Sequence, residues 1–176
     1  MRPIEATTSP FLSRGVAKLS QVQCMNTSNV DLIKHFEGCK LEAYQCPSGV
    51  WTIGYGHTRG VQEGDKITKK EADALLIEDV ELVELHVDRL VKTELEQHQY
   101  DAIVSWCFNL GCGNLRASTL LLVLNSGELD AVSEQIVRWN KSKGKALAGL
   151  TRRRKSEATL FDTGKVDYGT KEKSND

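Results

Sequence analysis

The chain has 176 residues, 27% of them charged, and a formal net charge of −1. This length suits one domain with a hydrophobic core, and the near-neutral charge excludes the basic field that dominates nucleic-acid binding. The longest apolar stretches, such as 120–124, are far shorter than the roughly 20 residues of a membrane-spanning helix, so we expect a soluble protein without stable membrane insertion.

The two ends of the chain lack the patterns of folded elements. Residues 1–25 contain basic side chains but no apolar stretch followed by a cleavage site, so no classical secretory signal is predicted. We expect 1–25 to be a poorly ordered extension, with Met1 or Met25 as the true start. The polar residues 165–176 are predicted to form a flexible tail, which leaves 26–164 as the folded domain.

Hydrophobic spacing predicts a first helix and a small sheet. Ser28 and Asp31 match a capping box, and the apolar stripe behind them predicts a helix from about 29 to 37. From 41 to 60, aromatic and β-branched residues alternate with prolines and glycines, which is typical of a hairpin-rich sheet.

Helices dominate the rest of the predicted domain. Thr68 and Glu71 form a second capping-box match ahead of the longest apolar stripe, and Thr93 and Glu96 form a third, ahead of a more apolar helix that Gly111 ends. Further helices are predicted near 119–124, 129–139 and 151–161. The fold class is therefore α+β and predominantly helical, with a small N-terminal hairpin lobe, a long connecting helix, a C-terminal helical lobe and a cleft between them.

The five cysteines, at positions 24, 39, 46, 107 and 112, show no zinc-binding spacing with histidines, so no metal site is expected. Their odd number leaves at least one thiol unpaired, which fits a reducing compartment or a redox-labile site better than a disulfide framework. Cys107 lies on the apolar helix and is interpreted as a small buried hydrophobe. The role of Cys112 stays open.

Several motifs together resemble one enzyme family. Phe36-Glu37-Gly38 at a helix end, followed by GVWTIGYGHT over 49–58, resembles the catalytic core of the phage-type lysozymes, glycoside hydrolase family 24. The resemblance covers roughly 28–164. It implies a lysozyme-like fold and a monomeric endolysin that needs no cofactor and hydrolyses the β-1,4 bond between N-acetylmuramic acid and N-acetylglucosamine in peptidoglycan glycan strands. Such an enzyme would stay in the host cytoplasm until lysis and then act in the periplasm on the cell wall.

Cleavage of a glycosidic bond requires an acid for the leaving oxygen and a second group that handles water or the oxocarbenium charge. The resemblance assigns the acid role to Glu37, for which a solvated surface glutamate is the alternative. In the family an aspartate and a threonine position the water, and Cys46 and Thr52 stand in those places here. The Thr52 hydroxyl can orient a water, whereas Cys46 would have to work as a thiolate, with an ordinary pKa near 8.5.

A subgroup of these endolysins is similar in carrying cysteines at the positions of Cys39 and Cys46, and their pairing controls activity. The resemblance implies that a Cys39–Cys46 disulfide would lock the site and that a Cys24–Cys39 bond would free Cys46. Such exchange needs an oxidising compartment, and three reduced thiols are the alternative. The subgroup also has a weakly hydrophobic N-terminal anchor, for which 11–23 contains too many polar residues.

By the same resemblance, Asn109, Thr119 and Arg153 line the saccharide groove, with Arg153 facing Glu37. Helix-end and capping hydrogen bonds are the alternatives for Asn109 and Thr119, and a solvated helix face is the alternative for the arginines at 152–154. His57 is interpreted as a structural residue of the site wall, because no hydrolase triad accompanies it.

Two further function classes remain open from the sequence. A catalytically weakened peptidoglycan-binding module would explain the missing aspartate, and a redox sensor on a lysozyme scaffold would explain the cysteines. For the enzyme, inversion through a positioned water is preferred. A covalent thioether at Cys46 would instead require the two catalytic groups to lie about 5 Å apart.

Overall fold

A computed structural model describes residues 23–169, except the side chains of 27–29. The expectations for 1–22, including a start at Met1, and for 170–176 lie outside the described residues. The α-helices are α1 (Thr27–Glu37), α2 (Lys69–Leu90), α3 (Gln97–Leu110), α4 (Cys112–Arg116), α5 (Thr119–Ser126), α6 (Val132–Val137) and α7 (Ala148–Thr163), and a 3-10 helix (Leu129–Ala131) precedes α6. The strands are β1 (Lys40–Gln45), β2 (Trp51–Gly54), β3 (Lys141–Ser142) and β4 (Lys145–Ala146). The predicted fold class, α+β and predominantly helical with a small hairpin sheet, is confirmed.

The long helix α2 begins where the sequence predicts. The Thr68 hydroxyl accepts a hydrogen bond from the Glu71 amide at 3.2 Å, and the Glu71 carboxylate accepts one from the Thr68 amide at 2.7 Å. This reciprocal capping box satisfies two amides that would otherwise lack partners at the helix start. The 22 residues of α2 span about 33 Å. Even so, no helix among residues 23–169 is long and apolar enough to cross a membrane.

Two predicted helix starts are wrong. Helix α3 is capped by Glu96 with Gln99, because the Thr93 hydroxyl instead donates to the Leu124 carbonyl at 2.6 Å, across the domain. Helix α7 begins at Ala148, three residues before the predicted start near 151. A short helix that the sequence did not predict, α4, holds Cys112.

Helix α3 forms the centre of the domain. All eight residues from Tyr100 to Cys107 are buried, so this helix is surrounded by other elements on every side. It packs mainly against α7 and also against α1 and α2. The Trp106 ring meets the Trp139 ring edge to face, with 5.1 Å between their centroids. The prediction that this apolar helix is central is confirmed.

Strands β1 and β2 pair in antiparallel fashion, with Tyr44 opposite Thr52 and Gln45 opposite Trp51. The turn between them is closed by the Cys46 amide, which donates to the Val50 carbonyl at 3.0 Å. The hairpin packs closely on α2 at Gly54, where a Cβ atom would lie 3.5 Å from the Ala72 Cβ. The position of the hairpin is therefore fixed relative to the helical core.

The chain beyond α7 turns back along the domain. Gly164 ends α7 in the left-handed conformation with φ of 68°, which glycine adopts without a steric penalty. The Tyr168 ring then lies 4.7 Å from the His35 ring of α1, and Gly169 lies beside the Arg152 side chain. Residues 165–169, part of the predicted tail, thus contact both α1 and α7.

Candidate active site

Glu37 is the last residue of α1 and stands at the edge of the helical core. Gly38 follows with φ of 67°, and its amide donates to the Lys34 carbonyl at 3.1 Å, which ends the helix and directs the chain into β1. The Glu37 side chain retains 23% of its exposure. It is therefore fixed at its base and accessible at its carboxyl group.

Arg153 of α7 holds the Glu37 carboxyl group. Its Nη1 donates to Glu37 Oε1, and its guanidinium lies 5.7 Å from the centroid of the Phe36 ring. Arg153 itself is only 3% exposed, and its Nη2 donates to the Ser105 carbonyl of α3 at 3.3 Å. The predicted pair of Glu37 and Arg153 is thus in direct contact, and α3 helps to orient it.

Behind Arg153 lies a buried charged cluster, which we define as Arg153, Arg154, Glu157 and the neighbouring Ser105. Arg154 Nη2 donates to Glu157 Oε1 at 2.9 Å and to Asn109 Oδ1 at 3.2 Å, while Arg153 Nε donates to Glu157 Oε1 at 3.1 Å. The pKa of Glu157 is raised above its ordinary value, first of all by burial, and both arginines limit this increase. Asn109, predicted to line a saccharide groove, is thereby placed in contact with this cluster.

Cys46 and Thr52 are brought together on the β1–β2 hairpin. The Cys46 thiol lies 2.9 Å from the Ser48 hydroxyl, and it is also within hydrogen-bonding reach of the Ser48 and Val50 amides and of the Thr52 side chain. These hydrogen bonds, that of the Ser48 hydroxyl above all, lower the pKa of Cys46 below its ordinary value to about 7. The turn thus stabilises a thiolate in the place where the sequence lacks an aspartate.

Thr52 is buried on β2, and its hydroxyl donates to the Val50 carbonyl at 3.1 Å. The same hydroxyl can rotate toward the Cys46 thiolate, which it approaches across the hairpin end. The register of the hairpin, with Tyr44 opposite Thr52, places Thr52 near Cys46.

All five cysteines are free. The Cys24 thiol faces Glu84 and Asp88 near the end of α2, and partial desolvation together with these carboxylates raises its pKa. The Cys39 thiol faces Lys69 at the start of α2. The 15 residues of helix between these two environments span about 22 Å, well beyond the roughly 7 Å between Cα atoms that a disulfide tolerates.

Thr119 stands apart from these groups. It is the exposed first residue of α5, whose cap is the neighbouring Ser118, with its hydroxyl accepting from the Leu121 amide. Among the described residues, no hydrogen bond or ion pair joins Thr119 to Glu37 or to the buried charged cluster. His57 also lies outside the cluster: its Nδ1 lies 2.8 Å from Asp79 and its Nε2 lies 3.0 Å from the Arg59 carbonyl oxygen, as expected for a structural residue.

The sequence did not single out Ser48, Ser105 or Glu157 as site residues. Each of these residues nevertheless has a sequence feature that could have identified it. Ser48 places a hydroxyl in the turn two residues after Cys46, and Ser105 is a polar residue within the apolar stretch 102–108. Glu157 follows Arg153 by four residues, which is the spacing of an ion pair on one helix face.

Comparisons with known proteins find phage lysozymes and endolysins. The sequence model of the Phage lysozyme family matches residues 34–157. The chain is 45% identical over 136 residues to an endolysin of Acyrthosiphon pisum secondary endosymbiont phage 1, covering 75% of this chain and 93% of that protein. It is 39% identical to an endolysin of Bacillus phage B103, covering 85% of this chain but only 58% of that longer relative. It is 35% identical to a SAR-endolysin of Enterobacteria phage P21, covering 70% of this chain and 76% of that protein.

Comparison of the fold with solved structures also finds a muramidase. The muramidase domain of SpmX from Asticaccaulis excentricus superposes on this chain with a TM-score of 0.75 at 41% identity. The superposition covers 79% of this chain and 97% of that domain.

Proposed function

Because the chain belongs to the phage lysozyme family, we propose that Glu37 is the general acid of its glycosidase reaction and that Cys46 and Thr52 hold the attacking water. The chain is a lysozyme-type endolysin that hydrolyses peptidoglycan. The bond cleaved is the β-1,4 linkage between N-acetylmuramic acid and N-acetylglucosamine. The observation that carries this assignment is the Glu37–Arg153 pair, which presents a fixed carboxyl group at the edge of the core.

The acid half of the reaction rests on the two oxygens of Glu37. Arg153 engages Oε1, and no described residue hydrogen-bonds Oε2. A carboxyl group held on one side and open on the other can deliver its proton to a leaving oxygen in a defined direction. Because Arg153 is buried and held by α3 and α7, that direction is set by the helical core.

The water half rests on the hairpin turn. In the thiolate form, Cys46 accepts a proton from the water as the water oxygen attacks the anomeric carbon, and it becomes a neutral thiol. Thr52 accepts or donates a hydrogen bond to the same water. At the same time Glu37 transfers its proton to the departing sugar oxygen, so protons balance and the anomeric configuration is inverted. The lowered pKa of Cys46 supports this role near neutral pH.

The cysteines also allow a redox control of this site. Seven residue steps separate Cys39 from Cys46, and paired strand β1 lies between them, so even with the irregular register between Lys40 and Tyr44 their Cα atoms stand well beyond the roughly 7 Å that a disulfide tolerates. A Cys39–Cys46 disulfide therefore requires β1 to leave β2, which would dismantle the Cys46 site. A Cys24–Cys39 disulfide requires movement of 23–26 relative to α2. The paired hairpin with a free Cys46 is accordingly the active arrangement.

We expect the enzyme to act on the cell wall as a monomer, with glycan strands as its partner. The SAR-endolysin among the relatives supports a route to the wall through the periplasm. A single sedimenting species of 19.6 kDa in solution would agree with the monomer, and a concentration-dependent larger mass would contradict it.

The test is clearing of purified peptidoglycan by wild type, Glu37→Gln, Cys46→Ser and Cys46→Asp, each with and without reductant. We expect wild type and Cys46→Asp to clear the wall, Glu37→Gln to be inactive with its fold intact by circular dichroism, and Cys46→Ser to be severely impaired. Nuclear magnetic resonance of the first product formed should show the inverted anomer. If wild type binds the wall but does not clear it, with or without reductant, the protein is a peptidoglycan-binding module and the enzymatic assignment is wrong.

A further inference from the structure

We propose that Glu157 is a positioning residue of this glycosidase: it fixes Arg153, and through Arg153 it sets both the orientation of Glu37 and the positive charge that Glu37 experiences. The inference rests on the proposed role of Glu37 as the acid. It concerns a residue that has no access to substrate, because Glu157 is fully buried on α7.

The hydrogen bonds of Glu157 restrict it to one orientation. Its Oε1 accepts from Ser105 Oγ at 2.9 Å, from Arg153 Nε at 3.1 Å and from Arg154 Nη2 at 2.9 Å. Its Oε2 lies 2.8 Å from Arg154 Nε. Two helices, α3 and α7, thus determine where this carboxylate stands. Arg153 is held at its Nε by Glu157 and at its Nη2 by the Ser105 carbonyl, which leaves Nη1 directed at Glu37.

The charge of Glu157 also affects Glu37. Among the described residues, the ionised groups within this cluster are Arg153, Arg154 and Glu157, and Glu37 of α1 is the ionisable group that contacts it from outside. The Cys107 thiol approaches from α3, and its pKa is raised well above the ordinary value, first by its hydrogen bond with Cys112 and then by burial, so it stays neutral. With Glu157 charged, the two arginines present a net charge of +1 to Glu37. Without that charge they present +2.

A stronger positive charge beside a carboxyl group favours its ionised form. A general acid must carry its proton when the substrate binds, so activity is lost at high pH as that proton leaves. Removal of the Glu157 charge should therefore move the high-pH limb of the activity profile toward lower pH. A residue that only supported the packing of α3 on α7 would lower the amount of folded enzyme and leave that limb in place.

The experiment compares kcat and KM across pH 5 to 9 on a soluble peptidoglycan oligosaccharide for wild type, Glu157→Gln and Glu157→Asp. Glu134→Gln is the matched control, because Glu134 forms an exposed pair with Arg138 on α6 at 2.7 Å. For Glu157→Gln we expect kcat to fall about tenfold or more, KM to change little, and the high-pH limb to move down by about one pH unit. The low-pH limb should stay in place, and Glu134→Gln should match wild type.

Glu157→Asp keeps the charge but withdraws the carboxylate by one methylene. It should restore the high-pH limb to the wild-type position while kcat remains reduced, and this variant decides the matter if Glu157→Gln does not fold. A reduced kcat with an unmoved high-pH limb in folded Glu157→Gln would overturn the proposal, as would wild-type kcat in Glu157→Asp. If wild type is active and Glu37→Gln is not, either result excludes only the positioning role of Glu157, and the assignment of Glu37 as the acid still holds.

Discussion

Replacing Ser48 with alanine tests whether Cys46 works as a thiolate. The Ser48 hydroxyl lies 2.9 Å from the Cys46 thiol and contributes most to lowering the pKa of Cys46 below its ordinary value to about 7. Ser48→Ala removes that donor and leaves the two turn amides and the Thr52 hydroxyl in place. Ser48 is an exposed turn residue, so the change should not affect the stability of the domain.

The size of the effect follows from the fraction of thiolate. With a pKa of about 7, half of the Cys46 side chains are ionised at pH 7. If loss of the largest of the hydrogen-bond contributions raises the pKa by roughly one unit, about one tenth stay ionised at pH 7. The rate at pH 7 should then fall about fivefold relative to wild type, and this difference should vanish as the pH rises toward 9, because ionisation of Cys46 increases with pH in both proteins.

Initial rates on a soluble oligosaccharide between pH 5 and 9 would measure this shift of the low-pH limb. The matched controls are Cys46→Asp and the double variant Cys46→Asp with Ser48→Ala, in which a carboxylate ionised throughout this range replaces the thiol. In the Cys46→Asp background, Ser48→Ala should leave the low-pH limb of the activity profile unchanged. Superimposable low-pH limbs for wild type and Ser48→Ala would refute the reasoning, and so would an equal shift in the Cys46→Asp background.

Three simpler predictions concern the fold and the remaining thiols. Thr68→Ala should lower the free energy of unfolding in urea by about 1 kcal/mol through loss of the α2 cap, whereas Thr68→Ser should restore most of it. Leu124→Ala, at a fully buried position, should cost about 2–5 kcal/mol, and a loss under 1 kcal/mol would contradict the packing described. Cys112, whose pKa is lowered to about 7, should react with iodoacetamide at pH 7.5 well before buried Cys107, as read by peptide mass spectrometry.

The features that the sequence predicted correctly are those decided by neighbours along the chain. The capping box of Thr68 and Glu71 forms entirely within one helical turn, and Gly111 ends α3 through its own backbone conformation, with φ of 85°. The predicted cap at Thr93 is wrong because its hydroxyl binds a distant carbonyl instead of an amide of α3, and no local pattern in the sequence indicates that partner. Its partner, the Leu124 carbonyl, is brought near only when α5 packs beside the segment before α3.

The same division applies to the candidate site. The contact of Glu37 with Arg153 was anticipated from a family resemblance, since 116 positions separate the two residues and no local rule connects them. The ionisation of Cys46 was left open by the sequence, because it depends on a hydroxyl and two amides that converge only when the turn closes. The importance of Glu157 depends on a third element, α3, which places Ser105 against it.

The return of the chain after α7 matters for anyone who joins another protein to this one. At Gly169 the backbone lies beside Arg152, next in sequence to the arginine that holds Glu37, and Tyr168 rests on His35, two positions ahead of that acid. A partner fused directly after that point would start beside the glycan-cleaving groups. Near the other end of the described chain, the Met25 amide donates a hydrogen bond to the Glu84 carboxylate near the far end of α2. Cargo, tags and surface attachments therefore belong at the N-terminal side.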